Sequence, residues 1–252
     1  MPSAAPLSSD LAPFADIEQR ITALPWPALT AELDRGGQAV IPGLLDAGEA
    51  QLLAACYDDD PLFRSRIVMA RHNFGQGEYK YFRYPLPAPV QRLRSALYPR
   101  LAPLANRWQA LMGLAARFPD THAQFQRRCN DAGQVRPTPL LLRYETGDYN
   151  CLHQDLYGEH VFPLQVAILL SEPGRDFEGG EFVLTEQRPR MQSRPEVVPL
   201  RQGDAVVFAV SQRPVAGARG PGHVYRVNMR HGVSRLRAGR RHTLGVIFHD
   251  AA

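Results

Sequence analysis

The sequence predicts a mainly β protein with helical support, an α+β fold, and three observations carry that expectation. Beyond residue 138, short segments alternate apolar and polar residues or run apolar throughout: 140–144, 161–171, 181–186, 197–200, 205–210, 225–230 and 241–248. Glycine, proline and aspartate interrupt them at short intervals, as turns between strands require. Before residue 138 the apolar spacing is mostly helical. Many short strands after several helices suggest a sandwich or barrel with helices packed outside. The chain has 252 residues, 44% of them hydrophobic, enough to bury a substantial core. We expect one integrated unit, with residues 1–138 as a helical support region that could also supply a substrate lid, and residues 139–252 as the β core.

The elements follow in order. Residues 1–20, rich in Pro, Ala and Ser, read as a loose leader or short helical turn, and 26–33 as a short helix. A brief strand over 38–41 is ended by Pro42-Gly43. Asp46 and Glu49 have capping-box spacing ahead of a helix over 50–57. Residues 87–114 read as helical material interrupted by Pro99 and Pro103, with Leu93, Leu97, Leu101 and Leu104 available to one face. A helix over 121–130 is followed by the turn Asp131-Ala132-Gly133.

Residues 61–84 mix cations with aromatics: Arg64, Arg66, Arg71, His72, Lys80 and Arg83 alternate with Phe63, Phe74, Tyr79, Tyr81, Phe82 and Tyr84 around Gly75-Gln76-Gly77. Phosphates attract cations and splayed bases stack on aromatic faces, so the segment suits a flexible strand or loop touching nucleic acid. A lid outside the barrel core, or packing with a solvated charged face, fits the same pattern. Of the 29 basic residues only Lys80 is lysine, so the net charge of +4 reads as arginine bias as much as a polyanion surface. Cys56, Cys129 and Cys151 have no metal-binding or disulfide-framework spacing, as in a reducing compartment. No long apolar run or export signal is read, and the expectation is a cytoplasmic protein without a membrane partner.

The chemistry centres on His153-Gln154-Asp155 and on His231, 76 residues after the aspartate. Two imidazoles and a carboxylate can hold one face of a divalent iron and leave the other face open. Alternate residues of a strand share a face, so His153 and Asp155 could reach one ion. Ala238-Gly239 reads as a turn, which would put His231 and Arg241 on neighbouring antiparallel strands. A guanidinium there could clamp a carboxylate through two parallel hydrogen bonds. Only one of Arg240 and Arg241 should point inward. Cys151 is expected to be a small buried residue near the metal face, not a nucleophile.

His153-x-Asp155, His231 and Arg241 together resemble the iron(II)- and 2-oxoglutarate-dependent dioxygenases. The resemblance extends over about residues 139–250, through Arg143-Tyr144-x-x-Gly147-Asp148-Tyr149, Gly179-Gly180-Glu181-Phe182 and Gly203-Asp204-Ala205-Val206-Val207-Phe208. It implies a distorted double-stranded β-helix, the jelly roll. It further implies that His153, Asp155 and His231 bind Fe(II), that Arg241 binds 2-oxoglutarate with Tyr144 as a second contact, and that O2 is the other co-substrate. Family chemistry then yields succinate, carbon dioxide and an oxidised substrate C–H bond. More narrowly, the chain resembles a bacterial group predicted to act on damaged DNA, which implies oxidative dealkylation of nucleic acid with aldehyde release. Arg240-Arg241-His242-Thr243-Leu244 departs from the alkylation-repair pattern, and Gly179-Gly180-Glu181-Phe182 looks more like the prolyl-hydroxylase branch. A prolyl or other protein or amino-acid hydroxylase therefore stands as the alternative. A non-catalytic jelly-roll binding protein is a third reading. Tyr149, Gln165 and Asn228 are further candidates, and the loops 156–160 and 211–224, the latter with Arg213, Arg219 and His223, could form the pocket rim. His160 and His223 lack the ligand spacing of His231.

Overall fold

The computed structural model describes residues 12–217 and 224–252. The chain opens with helices α1 (Ile17–Ala23) and α2 (Trp26–Gly36), and Gly37, at φ 75°, stops α2 in the left-handed conformation that favours glycine. Strand β1 (Gln38–Ile41) follows directly. Helix α3 (Ala47–Ala55) begins with the expected capping box: Asp46 Oδ1 accepts from Glu49 N at 2.8 Å, and Glu49 Oε2 accepts from Asp46 N at 2.9 Å. Next come β2 (Phe63–Val68), β3 (Gly75–Gln76), β4 (Glu78–Phe82), α4 (Ala88–Leu111) and α5 (His122–Asp131). The remaining strands are β5 (Leu140–Glu145), β6 (Tyr149–His153), β7 (Leu164–Leu169), β8 (Phe177–Gly179), β9 (Phe182–Gln187), β10 (Ser193–Val198), β11 (Ala205–Ala209), β12 (Gln212–Ala216), β13 (Val224–Val233) and β14 (Leu236–Val246). No described helix is long and apolar enough to cross a membrane.

The strands form two antiparallel sheets. The larger runs β1-β11-β7-β14-β5-β4-β2, with β8 on β14; the smaller runs β10-β9-β13-β6-β3, with β12 on β13. Alternation of side chains divides the larger sheet into two working faces. Leu141, Val166, Ile168, Val207, Leu244 and Val246 join the apolar core shared with α1, α3 and α4. Their neighbours Leu142, Tyr144, Gln165, Ala167, Arg241 and Thr243 instead face a cavity of about 190 Å³ between the sheets. Burial on both faces explains why β7 and β11 read as nearly unbroken apolar runs. The result is the expected α+β, jelly-roll-like arrangement of facing sheets; no closed barrel forms among the described residues.

Several expectations are corrected. Helix α4 is continuous through Pro99 and Pro103. Both prolines are exposed, so the carbonyls that lose N–H partners face water, while Leu97, Tyr98, Leu101, Leu104 and Trp108 hold the opposite side in the core. Residues 61–84 are not a loop outside the barrel: β2 and β4 extend the larger sheet through β5, and β3 adds to the smaller sheet. Lys80 is buried, donating to Tyr57 O at 2.8 Å and Asp60 Oδ1 at 2.6 Å, so it is not free for phosphate, and Arg66 pairs with Glu78 at the surface. Part of 211–224 is strand β12, whose Arg213 is buried against Glu186 and the carbonyls of Asp34 and Arg35. Arg219 and His223 lie outside the described residues. Ala238-Gly239 is no turn but part of β14, bulged against β8. The chain changes sheets at Ser234-Arg235, so His231 and Arg241 sit on opposite sheets.

Candidate active site

Cross-strand register builds the site. Strand β13 pairs with β6 so that His231 lies opposite His153, and the ring centroids are 4.2 Å apart. Gly232 allows this approach, because a Cβ there would come 2.7 Å from Asn150 O. Asp155 lies just past the end of β6 rather than within it, so strand alternation alone does not place it. Gln154 ties the departing chain back to β13 through Nε2–H···O=C of Met229 at 2.8 Å. Asp155 is then brought to both histidines: Oδ2 is 3.3 Å from His231 Nε2, and Oδ1 is 3.6 Å from His153 Nε2. The candidate ligand atoms of the three residues all lie within 4.8 Å of one another.

Their electrostatics suit a divalent cation. His153 Nδ1 lies 2.8 Å from Cys151 O, which favours the tautomer protonated there and leaves Nε2 bare toward Asp155. Burial, reinforced by the charge of His231, lowers the pKa of His153, so the neutral, ligating form prevails. Burial opposes ionisation of Asp155, but the hydrogen bonds and electrostatic influence of His231, with the Tyr157 hydroxyl, outweigh it and hold the carboxyl below its usual range. Tyr157 Oη donates to Asp155 Oδ1 at 2.7 Å. One carboxylate oxygen is thereby occupied, and the other remains for an ion.

Arg241 and Tyr144 face each other across β14 and β5, and the guanidinium carbon is 5.7 Å from the tyrosine ring centroid. Arg241 is 1% exposed, whereas Arg240 points outward to Glu145 at 3.0 Å, as expected for adjacent strand residues. The buried guanidinium donates from Nη1 to Thr243 Oγ1 at 2.6 Å, its Nε finds no partner in the protein, and no carboxylate among the described residues pairs with it. Burial lowers its pKa to about 10, and burial raises that of Tyr144 to about 12. An unpaired buried cation is costly, so its presence in a cavity wall makes Arg241 a candidate to receive an anion.

The sequence reading therefore brings together His153, Asp155, His231, Arg241 and Tyr144, with Gln165 also on the cavity wall. Tyr149 and Asn228 do not line the cavity: Tyr149 lies under Arg235, and Asn228 accepts from Gln212. Cys151 is exposed, contrary to expectation: the β6–β13 register shifts between Asn150 and His153, so simple alternation does not carry its side chain to the metal face, and only its carbonyl meets the site. His160 is occupied in a backbone bond to Gln134. Tyr79 and Tyr81, from the aromatic segment 61–84, and Tyr157, from the rim loop 156–160, also line the cavity, as do Asn150 and Thr243, which were not singled out in the sequence. Thr243 was within reach of the sequence reading, standing two residues after Arg241 on the same strand face.

Residues 77–251 match the family model described as an oxygenase catalysing oxidative methylation of damaged DNA. The chain belongs to this oxygenase family. Two Mycobacterium tuberculosis proteins, the uncharacterized MT2286 and Rv2227, are each 50% identical to this oxygenase over 171 residues, covering 68% of its chain and 72% of theirs. A Pseudomonas putida prolyl-4-hydroxylase shares its fold at a TM-score of 0.53 and 17% identity, over 90% of this oxygenase and all of that chain. A Trichoplax adhaerens prolyl hydroxylase, solved with a hypoxia-inducible-factor peptide, gives 0.54 at 14% identity over 98% and 96% of the two chains. A Burkholderia pseudomallei oxidoreductase of the 2-oxoglutarate and Fe(II) oxygenase family gives 0.51 at 18% identity, over 91% and 94%. The oxygenase is thus an enzyme of the iron(II)- and 2-oxoglutarate-dependent dioxygenase superfamily, with that class's two-histidine, one-aspartate metal triad.

Proposed function

We propose that this oxygenase oxidatively removes alkyl groups from damaged DNA. His153, Asp155 and His231 hold Fe(II), and Arg241, assisted by Thr243 and Tyr144, holds the far carboxylate of 2-oxoglutarate. The observation that carries this reading is the buried, carboxylate-free guanidinium of Arg241 at the wall of the cavity that also contains the triad. The metal, when bound, supplies the centre at which O2 is reduced by two electrons from 2-oxoglutarate and two from the substrate C–H bond. One oxygen atom passes to succinate as carbon dioxide leaves. The other hydroxylates the N-alkyl carbon, and the resulting hemiaminal splits into the free base nitrogen and an aldehyde.

The chain's own groups shape that reaction. Tyr157 orients the aspartate, and the His153–Cys151 carbonyl contact orients one imidazole. Phe74, Tyr79, Tyr81 and Tyr157 line the cavity with aromatic surface, and Arg64 stands 4.5 Å above the Tyr81 ring. Such walls suit a planar base taken out of its stack, for which alkyl damage lowers the cost of extrusion. The family description favours DNA over a peptide, while likeness to prolyl hydroxylases speaks to fold alone.

The test is an anaerobic preparation supplied with Fe(II), 2-oxoglutarate and O2, offered methylated single- and double-stranded DNA, methylated RNA, proline and a peptide panel. Succinate formation stimulated by alkylated DNA, with matching aldehyde release, is expected. Stable hydroxylation of a peptide or amino acid, without DNA-stimulated turnover, would replace this reading. No iron-dependent 2-oxoglutarate consumption under any condition would favour a binding module.

A further inference from the structure

A second cavity, of about 360 Å³, adjoins the first, and Arg241 and Phe182 line both. Its walls include Leu169, Phe177, Val198 and Leu200, and Arg237 and Glu181 stand beside it 3.5 Å apart with side chains 64% and 40% exposed. Part of the wall beside Arg241 is glycine backbone. Gly179 and Gly180 have φ of 77° and 61°, and a Cβ on Gly180 would run into the Leu236 side chain and come 3.1 Å from Arg241 Cδ. The Gly179-Gly180 pair that stood out in the sequence therefore keeps space open beside the Arg241 side chain.

We propose that this rear cavity is the port through which the dicarboxylate co-substrate reaches Arg241 and succinate leaves, separate from the Phe74 mouth used by the molecule being oxidised. The inference rests on Arg241 being the dicarboxylate clamp. The triad cavity opens beside Phe74, which is 47% exposed, and a macromolecule seated there covers that opening. Arg237 at the surface, paired with Glu181 at 3.5 Å, and Arg241 within are two successive cations on the other side, where Glu178 also lines the cavity. A dicarboxylate takes the place of Glu181 on the first and is held by the second. Product exchange then need not wait for the large substrate to dissociate.

A route differs from a site in its kinetic signature. Narrowing a route slows binding and release by the same factor and leaves the dissociation constant unchanged, whereas damage to the site changes the constant. The experiment uses the full chain loaded with Fe(II) under anaerobic conditions, mixed rapidly with 2-oxoglutarate and followed by the absorbance of the iron–dicarboxylate chelate. Leu200→Trp, which fills the rear cavity, is expected to slow association and dissociation alike by about tenfold, within the range over which association rates vary among related binders. Arg237→Glu, at an exposed position, is expected to slow association at low salt, with the difference closing as salt rises. Plugging the mouth with a bulky maleimide on Phe74→Cys, in a Cys151→Ser background, is expected to leave both rates unchanged. Unaltered rates in both rear variants, a changed dissociation constant in Leu200→Trp without slower exchange, or exchange slowed only by the mouth plug would each overturn the proposal. Absence of 2-oxoglutarate binding to the unmodified chain would remove it together with the clamp assignment, a failure distinct from the kinetic ones.

Discussion

Tyr157 occupies Oδ1 of Asp155 and leaves Oδ2 facing His231 Nε2 at 3.3 Å. Partners of this kind hold a ligand in its binding orientation before the metal arrives, and losing one costs about 10- to 100-fold in metal affinity. Tyr157→Phe is therefore expected to weaken Fe(II) or Mn(II) binding by that order, read by titrating the metal-free protein; an unchanged affinity would remove the positioning role. Arg241→Ala is expected to weaken 2-oxoglutarate binding by at least about tenfold, since hydrogen bonds to charged groups contribute about 1.5–3 kcal/mol. Metal binding in that variant should be retained, which calorimetry can check. The triad and Arg241 stood out because their spacing as a set resembles that of a known enzyme family; His153-x-Asp155 alone would not have marked them. The contact of Tyr157 did not, because it depends on how the chain turns back after leaving β6. Lys80 shows the converse: it reads as a phosphate contact until pairing of β4 with β5 buries it.

Among the elements, β5, β7, β9, β11, β13 and β14 were legible in order because alternation and glycine punctuation are local, whereas β6, β8 and β12 fell outside the read segments and 197–200 met only the end of β10. Sheet membership was not legible. Gly239 looks like a turn, yet it continues β14 at φ 82°, just past the register shift between Leu236 and Ala238, and lets the strand pass close to Asp176 and Phe177. Gly239→Ala would bring a Cβ into the Asp176 carbonyl in a strained conformation, so we predict a markedly lower Tm and loss of the β8–β14 pairing, seen as faster amide exchange there. A Tm equal to that of the unmodified chain would contradict this close approach. Helix α4 was divided in the sequence reading because proline breaks an isolated helix, whereas the packed face of this one holds it together. Pro103→Ala should restore a backbone donor on the exposed side and raise stability, by less than about 3 kcal/mol; a lower denaturation midpoint would argue against that reading.

For the molecule as a whole, α4 is fastened to the end of β14 and the residues following it. Arg94 donates to Ile247 O at 2.8 Å and Phe248 O at 3.0 Å, and pairs with fully buried Asp250 at 2.6 Å. Breaking such a pair leaves a buried charge uncompensated, so Asp250→Ala is expected to cost about 3–5 kcal/mol in denaturant unfolding. Acid acts on the same region. Burial, aided by the charge of Arg94, lowers His122 and His249 to about 3, and burial with Arg143 lowers His242 to about 4. The unfolded chain binds protons at these histidines near pH 6.5 while the folded one does not, so stability is full above that pH and falls as pH drops toward 4. Each can contribute up to about 1.4 kcal/mol per pH unit, and urea unfolding at pH 7 and 5.5 checks the sign; equal or greater stability at pH 5.5 would contradict it.

The central claim is that His153, Asp155 and His231 converge on one iron, and anaerobic equilibrium binding of Fe(II) tests it most directly. The account predicts one tightly bound iron per chain and loss of that binding in a folded Asp155→Ala variant. Iron bound with the same affinity and stoichiometry after that substitution would contradict it.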